Sequence, residues 1–393
     1  MIKSLTNSQQ GVLRGLTAGL FALMLAVFAM PAQAQMDDGE LPKIDFSVNL
    51  AQHAQYLTVD RAADTDAVMG FQRVRAGLNA SVQFSENVNG LLMLEQEPND
   101  FGFNVSTPAV DFAILNVQAT DQLTIQAGTP VTGLMNFRGF SDGPAVQGNP
   151  LVLNSPADMI TAGQGVKLIG SYDTFGFDLT VARGFGGAVT SSNPSDTPPS
   201  GTAPDNANDQ SGVEVIGKVR YTGSDMFKVG AGAAVGTGRT GLNFAGGDGD
   251  NIDFGDYTSP ASATRGAAHA AIPGKTVLHA DAKLMLAGAD IDLWGGYGSN
   301  SDADIASAFG GIGLKYPFND SFYGAGRYTV VSNQSDGADE DSPLGRLQLG
   351  LGYEIYNKAL LKVEYFRQTE PAGSPGNIGN TWQGVITELS FNF

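Results

Sequence analysis

Apolar and polar residues alternate with a period of two along most of this chain, and no other feature constrains its fold as strongly. From Ile44 to Leu50, every second residue is apolar and the residues between are polar or charged. Such a stretch predicts a β-strand with one apolar and one polar face. Sixteen such stretches occur, near 43–59, 69–85, 89–97, 109–119, 122–130, 160–172, 176–186, 211–222, 226–237, 275–287, 290–299, 304–316, 321–332, 344–355, 359–369 and 380–393.

The connections between these strands alternate in length. Every second connection is a tight turn built from residues that hairpins favour, and the others are longer. This order is typical of outer-membrane barrels. We therefore predict an all-β chain that forms a transmembrane antiparallel β-barrel of 16 strands, with short periplasmic turns and long extracellular loops. The predicted tight turns are 86–89, 120–121, 173–175, 223–225, 288–289, 317–320 and 356–358.

Both ends of the chain fit export to the bacterial outer membrane. Residues 1–34 have the features of a signal peptide: Lys3 and Arg14 precede or open an uncharged apolar run that ends in a small-x-small cleavage sequence. The last strand alternates up to Phe393, which resembles the C-terminal signal that the barrel-assembly machinery reads. We predict a cleaved signal peptide at 1–34, one barrel domain at 35–393 and localisation in the cell outer membrane.

Charge and cysteine content exclude other classes of protein. Removing Lys3 and Arg14 from the 22 basic residues leaves 20 against 40 acidic residues, which is a net charge of −20. This acidity argues against nucleic acid as a partner. Cysteine is absent, so a disulfide-stabilised exported fold is excluded as well. Much of the excess acid lies in two long connections, at Asp248, Asp250, Asp253 and Asp256, and at Asp336, Asp339, Glu340 and Asp341.

The charged residues of each strand are expected to face the lumen, because a charge at the bilayer midplane would cost about 2–4 kcal/mol. The lumen cations either set a field that biases solute charge or form ion pairs that stiffen a polar wall. Arg73 and Arg75 lie two residues apart on one predicted wall and favour the first reading. Alternation is poor in the third and fourth strands and does not orient them. The predicted pore-lining cations are Arg73, Arg75, Lys167, Lys218, Arg220, Lys283, Arg327, Arg346 and Lys362.

The third long connection, at about 130–159, resembles the constriction loop of general porins, which folds into the barrel and narrows the channel. This resemblance implies that Arg138, Asp142 and Asp158 contribute to the constriction. The alternative for the same stretch is an ordinary surface loop.

The region 71–185 also resembles the phosphate-selective-type porins. The resemblance lies in Phe71-Gln72-Arg73-Val74-Arg75, in the stretch 126–130 followed by Gly133, and in the Gly-rich return at 163–167. It implies a sixteen-stranded, usually trimeric channel. The phosphate-binding members of that family have a constriction crowded with Lys and Arg, whereas the third long connection here offers one arginine. The resemblance therefore implies the architecture without a phosphate substrate.

Together these features predict a porin, a water-filled channel for passive diffusion of small hydrophilic solutes and ions. Its expected partners are outer-membrane lipid, the diffusing solutes and two further copies of the chain in a homotrimer. The alternative is a structural or surface-interaction outer-membrane barrel without a substantial channel.

We expect no enzymatic activity, no cofactor and no metal site. The histidines of the chain are His53, His269 and His279, and His279 shares the parity of Asp281, so it is predicted to line the lumen. The acidic stretch 248–253 places oxygen ligands at alternating positions, as calcium loops do, but it lacks the closing Glu. A solvated acidic loop is the better interpretation of that stretch.

Overall fold

The computed structural model describes residues 42–60, 65–96, 109–130, 133–137, 164–183, 213–236, 276–300, 305–333, 344–356, 359–369 and 381–392. Within these ranges the chain forms no helix long and apolar enough to cross a membrane. The strands are β1 (Lys43–Asp60), β2 (Thr65–Ser85), β3 (Val88–Gln96), β4 (Ala109–Thr120), β5 (Leu123–Gly128), β6 (Gly165–Tyr172), β7 (Phe175–Arg183), β8 (Val213–Tyr221), β9 (Phe227–Gly236), β10 (Thr276–Leu286), β11 (Ala289–Asn300), β12 (Ile305–Pro317), β13 (Phe322–Asn333), β14 (Leu344–Tyr356), β15 (Ala359–Thr369) and β16 (Thr381–Asn392).

These strands close into one antiparallel barrel. Each strand pairs with its neighbours in sequence, and β1 pairs with β16 so that Leu50 lies opposite Phe391. The prediction of an all-β, 16-stranded antiparallel barrel is therefore confirmed. The largest departure from the predicted bounds is in β6, which begins at Gly165 rather than near residue 160.

A two-residue turn joins β10 to β11. Ala287 and Gly288 have φ values of 50° and 81°, and strand pairing resumes with Leu286 opposite Ala289. Two central residues with positive φ are typical of a type I′ hairpin, whose twist matches that of the flanking strands. The turn was predicted one residue later, at 288–289, and the pairing of Leu286 with Ala289 corrects that position.

The two faces of the barrel wall differ as the alternation predicts. In β10, Leu278 is exposed on one face, whereas His279 and Asp281 on the other face are buried. In β14, Leu349 is exposed and Gln348 beside it is fully buried. An exposed apolar outer face and a polar inner face are what a membrane barrel requires.

The strand register orients β3 and β4, which the sequence alone does not. Asn89 of β3 lies opposite Asn116 of β4, and the two amides are hydrogen-bonded at 2.7 Å on the inner face. Leu92 and Leu115 belong to the opposite parity, and both are exposed. Their outward positions complete the apolar face across this part of the barrel.

A register shift in β2 interrupts the alternation used to place Arg73. Val74 lies opposite Gln52, whereas Phe71 lies opposite Ala54, so two residues of β2 share one position of β1. Such a β-bulge changes which parity of the strand faces inward. Alternation alone therefore does not place Arg73 and Arg75 on one wall.

Aromatic side chains collect on the outer face beside the short turns. The rings of Phe175 and Tyr221 lie 5.3 Å apart, and those of Tyr221 and Phe227 lie 5.5 Å apart. At another pair of turns, Phe322 and Tyr353 stack at 4.4 Å. Outer-membrane barrels carry aromatic residues of this kind at the membrane–water interface. The turn end of the barrel thus has the composition of an interface.

Candidate functional site

Three cations surround one carboxylate on the inner wall formed by β6, β7 and β8. Asp178 accepts a 2.7 Å hydrogen bond from Arg220, and its other oxygen lies 3.1 Å from Lys167 Nζ and 3.6 Å from Lys218 Nζ. The alternation of these strands turns all four side chains to the same face, and the register brings them together. Charge-assisted hydrogen bonds of this kind are strong. The group leaves this part of the wall with a net positive charge.

Residues 133–137, which we call the inner segment, lie against the inner wall. Lys218 Nζ donates to the carbonyl oxygens of Gly133 at 3.0 Å and Met135 at 3.2 Å. Asp281 on β10 accepts 2.8 Å hydrogen bonds from the backbone N–H groups of Asn136 and Phe137, and a 2.9 Å bond from the Asn136 side-chain amide. One cation therefore holds carbonyl groups of the inner segment, and one carboxylate holds its N–H groups.

Apolar packing and two glycines complete this docking site. Leu134 is fully buried, and Met135 packs against Trp294 and Ala325 on the wall. A Cβ atom at Gly230 would lie 2.8 Å from Asn136 Cβ, and a Cβ atom at Gly232 would lie 3.0 Å from Leu134 Cδ2. Because the two positions lack side chains, the backbone of the inner segment can approach β9 closely.

His279 lies beside this docking site. Its imidazole is buried, stacks on the Phe309 ring at 6.1 Å and places Nδ1 3.9 Å from Asp281 Oδ1. Neither ring nitrogen has a hydrogen-bond partner among the described residues. The carboxylate next to the imidazole is already engaged by the inner segment.

A second group of charged residues lies on β13 to β16. Arg327 Nε donates to Gln348 at 3.1 Å, and Gln348 Nε2 donates to Glu364 at 2.6 Å. Lys362 forms an ion pair with Glu388. All five side chains are buried, and contacts that run from strand to strand offset the free-energy cost of burying them.

The inner wall of β3, β4 and β5 is held by neutral amides instead. Asn116 Nδ2 donates to Asn89 at 2.7 Å, and Gln126 Nε2 donates to Asn116 at 2.8 Å. Further round the wall, Asn79 donates to the Ser47 hydroxyl at 3.3 Å. This ladder carries no formal charge.

The structure places the predicted pore-lining residues in different environments. Lys167 and Lys218 are buried in contacts that fit the ion-pair reading of the sequence, while Arg220 keeps about a fifth of its side chain exposed. The remaining predicted residues divide as follows: Arg327 and Lys362 are buried, Lys283 is partly exposed, Arg73, Arg75 and Arg346 have described backbones but not side chains, and Arg138, Asp142 and Asp158 lie outside the described residues.

The sequence did not single out Asp281 and Asn136 as partners. They lie 145 positions apart in the chain, and neither stands in a recognisable motif. The parity of Asp281 predicts that it faces the lumen, but not what it binds. The one sequence signal for this contact was the pair of glycines at inward positions of β9, Gly230 and Gly232, which leave room on the wall.

The next features bear on the expectation that the chain has no enzyme site and no metal site. Within the described ranges, no group of three or more His, Asp and Glu residues is arranged to hold a metal ion. The side chain of His53 and all of His269 lie outside what the structure describes. The sequence contains one G-x-S-x-G match, at 139–143, also outside the described residues. In the chain it falls in the connection between β5 and β6.

The fold is shared with outer-membrane proteins of known structure. The anion-selective porin from Comamonas acidovorans matches over 89% of this chain and 100% of its own, with a TM-score of 0.56 and 12% identity. OmpF of Salmonella typhi in complex with daunomycin matches over 90% of this chain and 98% of its own, with a TM-score of 0.55 and 13% identity. In-vitro folded OmpT, an outer membrane protein of Vibrio cholerae, matches over 92% and 100%, with a TM-score of 0.54 and 14% identity.

These likenesses define the class as an outer-membrane type of β-barrel and, at such low identities, show the fold alone. No protein-family model matches the chain, and no curated protein matches its sequence. The resemblance to phosphate-selective-type porins therefore stays a prediction.

Proposed function

We propose that the chain is an outer-membrane porin, a water-filled channel through which small hydrophilic solutes and ions diffuse passively. The observation that carries this proposal is a closed 16-stranded barrel with a polar inner wall on which the inner segment is docked. Barrels of this strand number are wide enough to enclose an aqueous channel. One of the solved structures with this fold is an anion-selective porin by name, which supports the same function.

The outer face supports a position in the outer membrane. Apolar residues of the outward parity, such as Met69, Val219 and Leu351, are strongly exposed, as side chains in contact with lipid would be. The aromatic residues beside the short turns fit one rim of that membrane. We extend this proposal to a signal peptide at 1–34 that is removed during export, and to a homotrimer.

The docked inner segment supports a constriction. It begins the third long connection, so the chain that follows starts from the lumen wall rather than from the rim. In this proposal the connection narrows the channel, with Arg138, Asp142 and Asp158 as its candidate charged residues. Lys283 and Arg220, which are partly exposed on the inner wall, are the candidate wall cations.

The experiment is conductance of the refolded barrel in planar bilayers. The porin proposal predicts stepwise, ohmic channels, and a reversal potential in a KCl gradient then gives the ion preference. A monodisperse barrel that inserts without any conductance would support the alternative of a structural or surface-interaction barrel. The mass of the detergent complex, measured on the same sample, tests the trimer.

A further inference from the structure

Both anchors of the inner segment have the same titratable neighbour. Lys218 and Asp281 hold the segment. His279 lies 3.9 Å from Asp281 and shares a row of the inner wall with Lys218, with one strand between them. We propose that His279 is a positioning residue that releases the inner segment from the wall when it gains a proton. Any change in conductance that follows from the release rests on the proposed channel function. The release itself is a structural event that can be measured separately.

The charged surroundings of His279 are simple among the described residues. Asp281 is two residues along on β10, with Oδ1 3.9 Å from the imidazole. Lys218 on β8 occupies the same row of the wall, across a glycine of β9. The row also holds the uncharged Gly232 on β9, Gly296 on β11 and Phe309 on β12. On the far side of Lys218 the row reaches Asp178 on β7, whose carboxylate lies 3.6 Å from the Lys218 ammonium group.

A proton on His279 would act on both anchors in the same direction. The new N–H donor would be attracted to Asp281 Oδ1, the oxygen that accepts the side-chain amide of Asn136. The new positive charge would repel the ammonium group of Lys218, which holds Gly133 and Met135. In a poorly solvated wall such interactions are stronger than in water.

The neutral imidazole is poised for this change. Both of its nitrogens are buried without a described hydrogen-bond partner, so a proton would create a donor 3.9 Å from the carboxylate oxygen of Asp281. Histidine is the side chain whose charge changes most readily between about pH 5 and pH 8. The docking site thus contains its own acid-sensitive group.

Trp294 provides the measurement, because it packs against Met135 of the inner segment. The chain has two tryptophans, so Trp382→Phe leaves Trp294 as the single emitter. In the refolded full barrel, we expect its emission to shift to the red and acrylamide quenching to rise several-fold between about pH 7.5 and about pH 3, because a buried imidazole gains its proton only in acid. No change across that range would overturn the proposal.

The matched variant is His279→Gln in the same background. It removes the titrating group and should abolish the shift, whereas an undiminished response would overturn the proposal. If that variant does not fold, His279→Asn in the same background replaces it, because it also removes the titrating group, and the same two outcomes decide.

The release and the channel function fail separately. A barrel that shows the acid response but conducts no ions would refute the porin function and leave the release intact.

Discussion

The inner wall of β3 to β5 and that of β6 to β10 satisfy buried polar groups in different ways. On the first, Asn89, Asn116 and Gln126 donate and accept among themselves, so the ladder is complete without charge. On the second, Asp178 and Asp281 are each contacted by several donors, and Asp281 binds the inner segment. The neutral wall is self-contained, whereas the charged wall depends on partners that a single substitution leaves unmatched.

The largest effect is expected from Asp178→Asn. The substitution leaves Lys167, Lys218 and Arg220 without their shared charge, so the free energy of unfolding should fall by about 3–5 kcal/mol. Denaturation of the refolded barrel measures this loss, and the reversal potential should move towards anions. Asp45→Asn is the control, since that carboxylate is mostly exposed; equal losses for the two variants would contradict the role given to the cluster.

The second effect is expected from Asp281→Ala. It removes three hydrogen bonds from the inner segment, and we expect a loss of about 2–3 kcal/mol because the freed N–H groups can reach water once the segment leaves the wall. Acrylamide should then quench Trp294 at neutral pH. Asp290→Ala changes a carboxylate near the turn of the adjacent strand and should leave Trp294 protected. If both variants expose Trp294 alike, Asp281 does not hold the segment.

A smaller effect is expected from Asn116→Ala on the neutral wall. It breaks two amide hydrogen bonds, which should lower the free energy of unfolding by about 1–2 kcal/mol. The reversal potential should stay unchanged because no charge is altered. Gln118→Ala, at an exposed position of the same strand, is the control. A shift in ion preference from Asn116→Ala would break the distinction between the two walls.

The smallest effect is expected from Lys43→Gln. Its ion pair with Asp45 joins two side chains that are about 70% exposed, so its loss should change stability by less than about 0.5 kcal/mol. Lys362→Gln provides the contrast, because it removes the positive charge of an ion pair whose two side chains are buried. Similar melting behaviour for the two variants would mean that burial does not determine how much these ion pairs contribute to stability.

The barrel could be predicted from the sequence because its information is local. A strand with two faces repeats every two residues, and a tight turn needs only two to four residues, so pattern and turn chemistry together indicate sixteen hairpin-connected strands. The orientation of Lys218 follows from the same parity. Alternation failed where the pattern itself is irregular, at the bulges in β2 and β4, and strand pairing was needed there.

The docking site could not be predicted in the same way. Asn136 and Asp281 meet because the barrel closes, and no local pattern records a contact across 145 positions. Parity predicts that Lys218 faces inward but cannot tell whether its ammonium meets water, a carboxylate or a carbonyl. That outcome depends on where the third long connection runs, which is a property of the closed barrel.

Large and small residues alternate around the circumference on one row of the inner wall, where Lys218, His279 and Phe309 are separated by Gly232 and Gly296. Each large side chain can lie flat over the glycine beside it instead of pointing to the barrel axis. The inner diameter of the barrel at this level therefore depends on the number of glycines in the row as well as on the number of strands. A Cβ atom at Gly296 would clash with the backbone oxygen of Leu278 and with the Phe309 ring, so a side chain added to this row would force the large residues off the wall and towards the axis.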